Sequence, residues 1–327
     1  MPSSGQSGIC VTLQARAHNA AGMIQSRILL PIGAALLGVA CLSLMDAFMK
    51  GAALAAGTYS ATLLRSAIGT LIAAPVWLLL GGRWPRWPVL KLHLERGVVS
   101  AFMALSFFYS LTKLAIAEAI AISFVAPLLA LYLARVLLGE TIRREAVLAS
   151  VLGFAGTLVI VGGKLGDGGF DRDTALGLAA ILVSALLYAY NFIVIRRQSQ
   201  AAGPLEIAAF HSGVAAAVMA LVAPFLFVWP GEAVLLETAL AAALTVAGAM
   251  AIAWAYARAE AQVLVPMEYS GFLWAALFGW LFFREGVTLP TLAGTAIIVA
   301  ACWLAARNRH AQRTVGAVLP ATEQRAL

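Results

Sequence analysis

Apolar residues recur in long runs separated by short polar joints, and runs of about 17 to 25 such residues cross hydrocarbon as helices. Ten runs are legible, near 28–50, 58–80, 96–114, 116–138, 146–163, 175–195, 207–229, 239–258, 262–283 and 291–306. The longest joints, Gly81 to Glu95, Lys164 to Thr174 and Arg196 to Glu206, are too short for a soluble domain. The pattern predicts an all-α integral membrane protein with ten transmembrane helices. It also repeats. Leu137-Leu138-Gly139-Glu140 has a counterpart in Phe282-Phe283-Arg284-Glu285, a displacement of 145 positions that also carries Tyr109 onto Trp254, Lys113 onto Arg258, Asp46 onto Asn191 and Gly156 onto Ala301. Each half holds an odd number of runs, so the second half enters the bilayer with opposite orientation. Two inverted five-helix repeats are the architecture from which secondary transporters are built. The expected divisions are a cytoplasmic segment at 1–27, a first repeat at 28–163, an external linker at 164–174, a second repeat at 175–306 and a basic cytoplasmic tail at 307–327.

Composition agrees with that pattern. The 327 residues are 62% hydrophobic and 11% charged, with a mean hydropathy of +0.91, which leaves too little polar surface for a soluble globule. The net charge of +7 would suit nucleic acid, but its placement argues otherwise. With the N-terminus in the cytoplasm, sixteen Lys and Arg fall on that side and five on the other, as the positive-inside rule requires. Both termini are then expected in the cytoplasm of an inner-membrane protein. Cys10, Cys41 and Cys302 show neither a disulfide framework nor ligand spacing. Of His18, His93, His211 and His310 only one lies within a run, which argues against a zinc site. No phosphate-binding G-x-x-x-x-G-K-[ST] loop is present, and no cleavable signal is read at the N-terminus.

Polar groups at membrane depth are costly and mark function by default. Asp46 and Arg65 are expected in the outer half of the membrane, and Asn191, His211 and Glu268 in the inner half, with Ser123 standing where the repeat later has Glu268. A cavity between these two layers is the expected substrate site. Each residue also has a structural reading. Asp46 stands four positions before Lys50, so a local ion pair and substrate gating both fit. Arg65 suits a pair with Asp46 or a substrate carboxylate. Glu268 has no basic residue one turn away and is the candidate for proton coupling, with a pair to another helix as the alternative. His211 suits a proton relay or a hydrogen-bonded core histidine. Glu118 fits the dipole of a helix N-terminus, while Glu140 and Glu285 fit caps. Tyr109, Trp254 and Tyr269 offer stacking faces for an amphipathic substrate, although packing or lipid contact is the commoner role of such rings. Pro75, Pro127, Pro224 and Pro266 predict kinks, the first and third in similar places of the two halves. Small residues at Ala243, Ala247 and Ala251, and at Ala149 and Gly153, predict close helix contacts. The run Gly81 to Pro88, with Trp84 and Trp87 among basic residues, reads as an interfacial anchor.

TLLRSAIG at 62–69, AIAEAIAISFVAPLLALYLARVLLGE at 115–140 and AEAQVLVPMEYSGFLWAALFGWLFFRE at 259–285 resemble the EamA family of the drug/metabolite transporter superfamily. The resemblance covers about 28–306. It implies an inner-membrane carrier that exports amino acids or other metabolites, or imports compounds such as S-adenosylmethionine or riboflavin. Asp46 and Lys50 with Arg65 look more like the importing branch. Arg65 and Pro127 correspond to the Arg of span 2 and the Pro of span 4 in the family pattern, whereas span 9 has Phe272 in place of that Pro. The expected activity is an alternating-access secondary transporter for a small amphipathic metabolite, acting without cofactor, metal or nucleic acid and open to forming a homodimer. A membrane-embedded enzyme and a passive channel are the alternatives from other classes.

Overall fold

Gly57, at φ 83, turns the chain back on itself after the first helix, a backbone geometry that costs a glycine nothing. The computed structural model describes residues 5–138, 144–166, 171–198, 200–258, 264, 267–301 and 303. Its helices are α1 (Gly5–Ala56), α2 (Thr58–Leu79), α3 (Trp87–Leu111), α4 (Ile116–Ser123), α5 (Ala126–Leu138), α6 (Arg144–Gly166), α7 (Arg172–Gln198), α8 (Pro204–Ala220), α9 (Ala223–Leu226), α10 (Glu232–Tyr256), α11 (Gly271–Phe283) and α12 (Leu289–Ala301). No strand occurs among the described residues. Five helical stretches are long and apolar enough to cross a membrane: Leu29–Ala56, Thr58–Leu79, Trp87–Leu111, Arg172–Ile195 and Glu232–Tyr256. Shorter apolar helices cover Ile116–Ala130, Val151–Gly163, Pro204–Ala220, Gly271–Phe283 and Leu289–Ala301.

The helices pack in pairs drawn from opposite halves of the chain. α1 runs along α10, α3 along α7, α2 along α8, and α4 against α11. Glycines set the closest approaches. A Cβ at Gly38 would stand 2.9 Å from the Gly248 carbonyl oxygen, and one at Gly248 would stand 2.9 Å from that of Gly38. Gly156 and Gly294 join α6 to α12 in the same way, at 2.7 and 2.5 Å. On α10 this corrects the expected stripe. Ala243 and Ala247 are exposed, and the buried small residues are Ala241, Ala242, Gly248 and Ala255, of which Ala241, Gly248 and Ala255 recur every seven positions. Gly153 backs onto Leu128 of α5.

Two helix interruptions organise the centre. α4 gives way to α5 at Phe124 and Val125, just before Pro127, whose missing N–H leaves the Ser123 carbonyl without its helical donor. The chain turns again at Tyr269 and Ser270 before α11, although Phe272 stands where the first half has Pro127. The expected inequivalence of the halves at this point therefore does not extend to the backbone. Ser270 substitutes for the proline, since its hydroxyl donates to the Met267 carbonyl at 2.6 Å and competes with the helical ladder. The aromatic rings of the two turns meet edge to face, Phe124 against Tyr269, with centroids 5.4 Å apart.

The paired prolines behave differently. α2 continues unbroken through Pro75, whereas α8 stops at Ala220 and Pro224 opens the one-turn helix α9. The hydroxyl of Tyr59 on α2 donates to the Met219 carbonyl, and Ser60 Oγ accepts the Val228 N–H at 2.9 Å, so backbone groups near the α8 break are satisfied by a neighbour. α3 begins at Trp87, nine residues before the expected start of its span. Trp84 and Trp87 are 73% and 61% exposed, with Lys91 over the Trp87 ring, as an interfacial anchor requires.

Candidate substrate cavity

Asp46 on α1 and Arg65 on α2 lie within electrostatic range of each other. His211 on α8 senses both Arg65 and Arg96. Tyr188 on α7 senses Glu268, Asp46 and Arg96, and the Tyr256 hydroxyl at the end of α10 donates to Glu268 Oε1 at 2.5 Å. Yet Tyr188 is 40% exposed, Glu268 is exposed, and Arg65 and His211 are half-buried. Asp46 of the expected outer layer and Glu268 of the expected inner layer both act on Tyr188, and Arg65 of the outer layer acts on His211 of the inner one.

Asp46 does not form the expected pair with Lys50. The Lys50 ammonium is 6% exposed, donates to the Leu114 carbonyl at 2.7 Å and pairs with Glu285. The other oxygen of Glu285 accepts the Ile116 N–H at 2.8 Å. A carboxylate with two converging donors is a better partner than one a turn away on the same helix. Glu285 therefore caps α4, a helix of the other half, and clamps α1, α4 and the end of α11 together. The clamp depends on Arg284, whose left-handed backbone (φ 57) ends α11 and directs the Glu285 N–H to the Gly279 carbonyl at 3.2 Å. Glu118 also works locally, its Oε2 taking the Ala115 N–H at 3.3 Å. Glu140 lies outside the described residues.

The opposite end carries a network of which only Asn191 was among the expected site residues. Arg96, 9% exposed, donates from Nε to Asn191 Oδ1 at 3.2 Å and from Nη1 to Gln198 Oε1 at 3.0 Å. Gln198 Nε2 meets His93 Nδ1 at 2.6 Å, and His93 Nε2 meets Glu206 Oε1 at 2.9 Å. Phe210 stacks on His93 with centroids 4.5 Å apart. This chain ties α3, α7 and α8. Its signal was the three-to-four-residue spacing of His93, Arg96 and Ser100, which the neighbouring Lys91 and Glu95 made look like a charged loop.

Of the other expected positions, Ser123 donates back to the Ala119 carbonyl at 2.9 Å, and Tyr269 packs on Phe124. Trp254 is 40% exposed and covered by Arg258, whose guanidinium lies 4.1 Å from the ring centroid. Tyr109 is half-buried near Lys113, and no described contact links it or Trp254 to the central group. No cluster of three or more metal-ligating side chains occurs among the described residues.

The sequence model of the EamA-like transporter family matches this chain twice, over residues 29–162 and 175–307. The chain belongs to the EamA-like transporter family. It is similar to the pseudopaline exporter CntI of Pseudomonas aeruginosa, 28% identical over 82% of this chain and 92% of the exporter. It is also similar to the aromatic amino acid exporter YddG of Ancylobacter novellus, 31% identical over 45% of this chain and 49% of that protein. A riboflavin transporter of Brucella anthropi is 25% identical over 72% of this chain and 82% of its own length. A protein of known crystal structure shares the fold with a TM-score of 0.57 and 23% identity, covering 84% of this chain and 96% of its own. The chain is thus a multi-pass membrane transporter of the drug/metabolite superfamily. Both segments matched by the EamA-like family contribute to the central group, Asp46, Arg65 and Arg96 from the first and Tyr188, His211, Tyr256 and Glu268 from the second.

Proposed function

We propose that the protein is an alternating-access secondary transporter that carries a small amphipathic organic metabolite, an amino acid or related compound, across the inner membrane. In this reading ten spans form two inverted five-helix halves with both termini in the cytoplasm. The internal polar group drawn from both halves carries the proposal, because a charged cavity beside aromatic rings suits a solute that is polar at one end and apolar at the other. Pairing of α1 with α10 and of α3 with α7 supports the inverted arrangement, since exchanging the halves turns one pair into the other. The Lys50 clamp supports an outer face closed in this conformation. Glu268, coupled to Tyr256, is proposed as the proton-carrying group, and the driving force as a proton gradient or exchange.

Counterflow in proteoliposomes tests the proposal. Vesicles preloaded with unlabelled metabolite should accumulate the labelled form transiently and saturably. Linear uptake that preloading does not accelerate would mean a channel instead.

A further inference from the structure

The joint between α2 and α3 is held in place by its neighbours. Gly81 turns it at φ 83, and the Gly81 and Gly82 N–H groups donate to the Leu78 and Trp77 carbonyls at 3.1 and 2.9 Å. Phe210 of α8 braces it, meeting the rings of Trp77 and Trp84 edge-on with centroids 5.4 Å apart in each case. This restrained segment presents Arg83, Arg86 and, one turn into α3, Lys91 at the surface. Leu78, Leu79 and Leu80 are exposed immediately before it, and Trp84 and Trp87 among the cations. Leucines, then tryptophans set among cations, follow the order of a bilayer from hydrocarbon to headgroup.

The charges here are unbalanced. Neither Arg83 nor Arg86 has an ion-pair partner among the described residues. The adjoining segments at 80–98 and 196–212 contain two acids, Glu95 and Glu206, and both are engaged. Glu95 accepts the Tyr190 hydroxyl, and Glu206 faces His93 Nε2 at 2.9 Å. Lys91 covers the Trp87 ring, its ammonium 5.4 Å from the centroid, on a face that could otherwise take a quaternary ammonium. The surface therefore offers cations to a phosphate and, in these segments, no open acid to a headgroup's own cation.

We propose that Arg83, Arg86 and Lys91 form a binding site for the headgroup of an anionic phospholipid, with Trp84 and Trp87 at the level of its glycerol and Leu78 to Leu80 against its acyl chains. The guanidinium fork matches phosphate oxygens. The uncompensated positive charge selects a lipid of net negative charge, such as phosphatidylglycerol, over the ethanolamine and choline lipids. The site requires only that the chain lie in a membrane and is independent of what the transporter carries.

Thermal unfolding of the purified full-length protein in a non-ionic maltoside detergent tests it. The probes are dioleoyl phosphatidylglycerol, phosphatidylethanolamine and phosphatidylcholine at equal mole fraction, with glycerol 3-phosphate as the soluble anion. Phosphatidylglycerol should raise the midpoint saturably, and the other three should not. Each cation beside an anionic lipid surface changes the apparent affinity about fivefold. Arg83→Gln combined with Arg86→Gln should therefore weaken it about 25-fold. The midpoint in phosphatidylcholine should stay unchanged, because both side chains are exposed. Arg309→Gln with Arg313→Gln removes the same charge from the C-terminal tail and should leave the response intact. Equal stabilisation by phosphatidylethanolamine overturns the selectivity for an anion, and equal stabilisation by glycerol 3-phosphate overturns the lipid. A wild type that ignores phosphatidylglycerol overturns the site, as does a response that the Arg83 and Arg86 variant keeps or the tail variant loses equally.

Discussion

The clamp between Lys50 and Glu285 makes a quantitative expectation. Glu285→Gln keeps an oxygen for the Ile116 N–H but removes the charge facing a lysine whose side chain is 7% exposed. Breaking a buried ion pair by removing one partner costs about 3–5 kcal/mol. Two features reduce that figure here: Lys50 retains the Leu114 carbonyl at 2.7 Å, and the Glu285 side chain is 17% exposed. The expected loss is about 2–3 kcal/mol for Glu285→Gln, with similar coupling recovered when Lys50→Met is combined with it. The assay is a double-mutant cycle on reversible unfolding in mixed detergent micelles, using wild type, both single variants and the double variant. Additivity within about 0.5 kcal/mol would refute the reasoning, because the two side chains would then not stabilise the fold through each other.

Gly38→Ala should destabilise by about 1–3 kcal/mol, since the added carbon would press on the Gly248 backbone; the same cycle of unfolding measurements reads it. Arg284→Gly should stabilise by up to about 1 kcal/mol, because a non-glycine residue in the left-handed region is strained, and a lower unfolding midpoint would mean that its stacking on Trp280 outweighs the strain. Glu268→Gln should flatten the pH dependence of counterflow while leaving exchange at its optimum measurable, and an unchanged profile removes the proton-carrying role. Asp171 accepts the Thr174 N–H at 2.8 Å, and these hydrogen bonds hold its carboxyl below the usual range. Its cap of α7 is therefore fully present above about pH 4 and lost as pH falls through the lowered value. Hydrogen exchange at the Thr174 amide should accelerate over that interval in wild type and be fast throughout in Asp171→Ala.

The long helices Leu29–Ala56, Thr58–Leu79 and Arg172–Ile195 were legible because the length of an apolar run is itself the physical requirement for crossing hydrocarbon. α2 begins at Thr58 as expected from the run alone. α3 was not legible in the same way. Its first three turns carry Lys91, His93, Glu95 and Arg96, polar enough to read as a joint, and only the partners supplied by α7 and α8 make burial of His93 and Arg96 tolerable. Asp46, Arg65, His211 and Glu268 were identifiable by their cost in an apolar run, but their partners were not. Lys50 has an attractive acid four residues away and instead pairs with one 235 positions distant, a choice decided by helix packing. The turn at Tyr269 follows Pro266, whose expected kink lies outside the described residues, and the Ser270 hydroxyl, bonded to the Met267 carbonyl, marks its place.

The ring contact between Phe124 and Tyr269 has a special place in a chain that repeats at 145 positions, because the displacement carries one of these residues onto the other. Exchanging the two halves leaves that contact where it was. In the proposed alternating-access reading, a joint of this kind favours neither face of the membrane and would serve both as a fulcrum. Enlarging or shrinking it would then change how fast the molecule turns over, while the balance between the two open forms would be set by the unlike ends, the lysine clamp at one and the arginine network at the other.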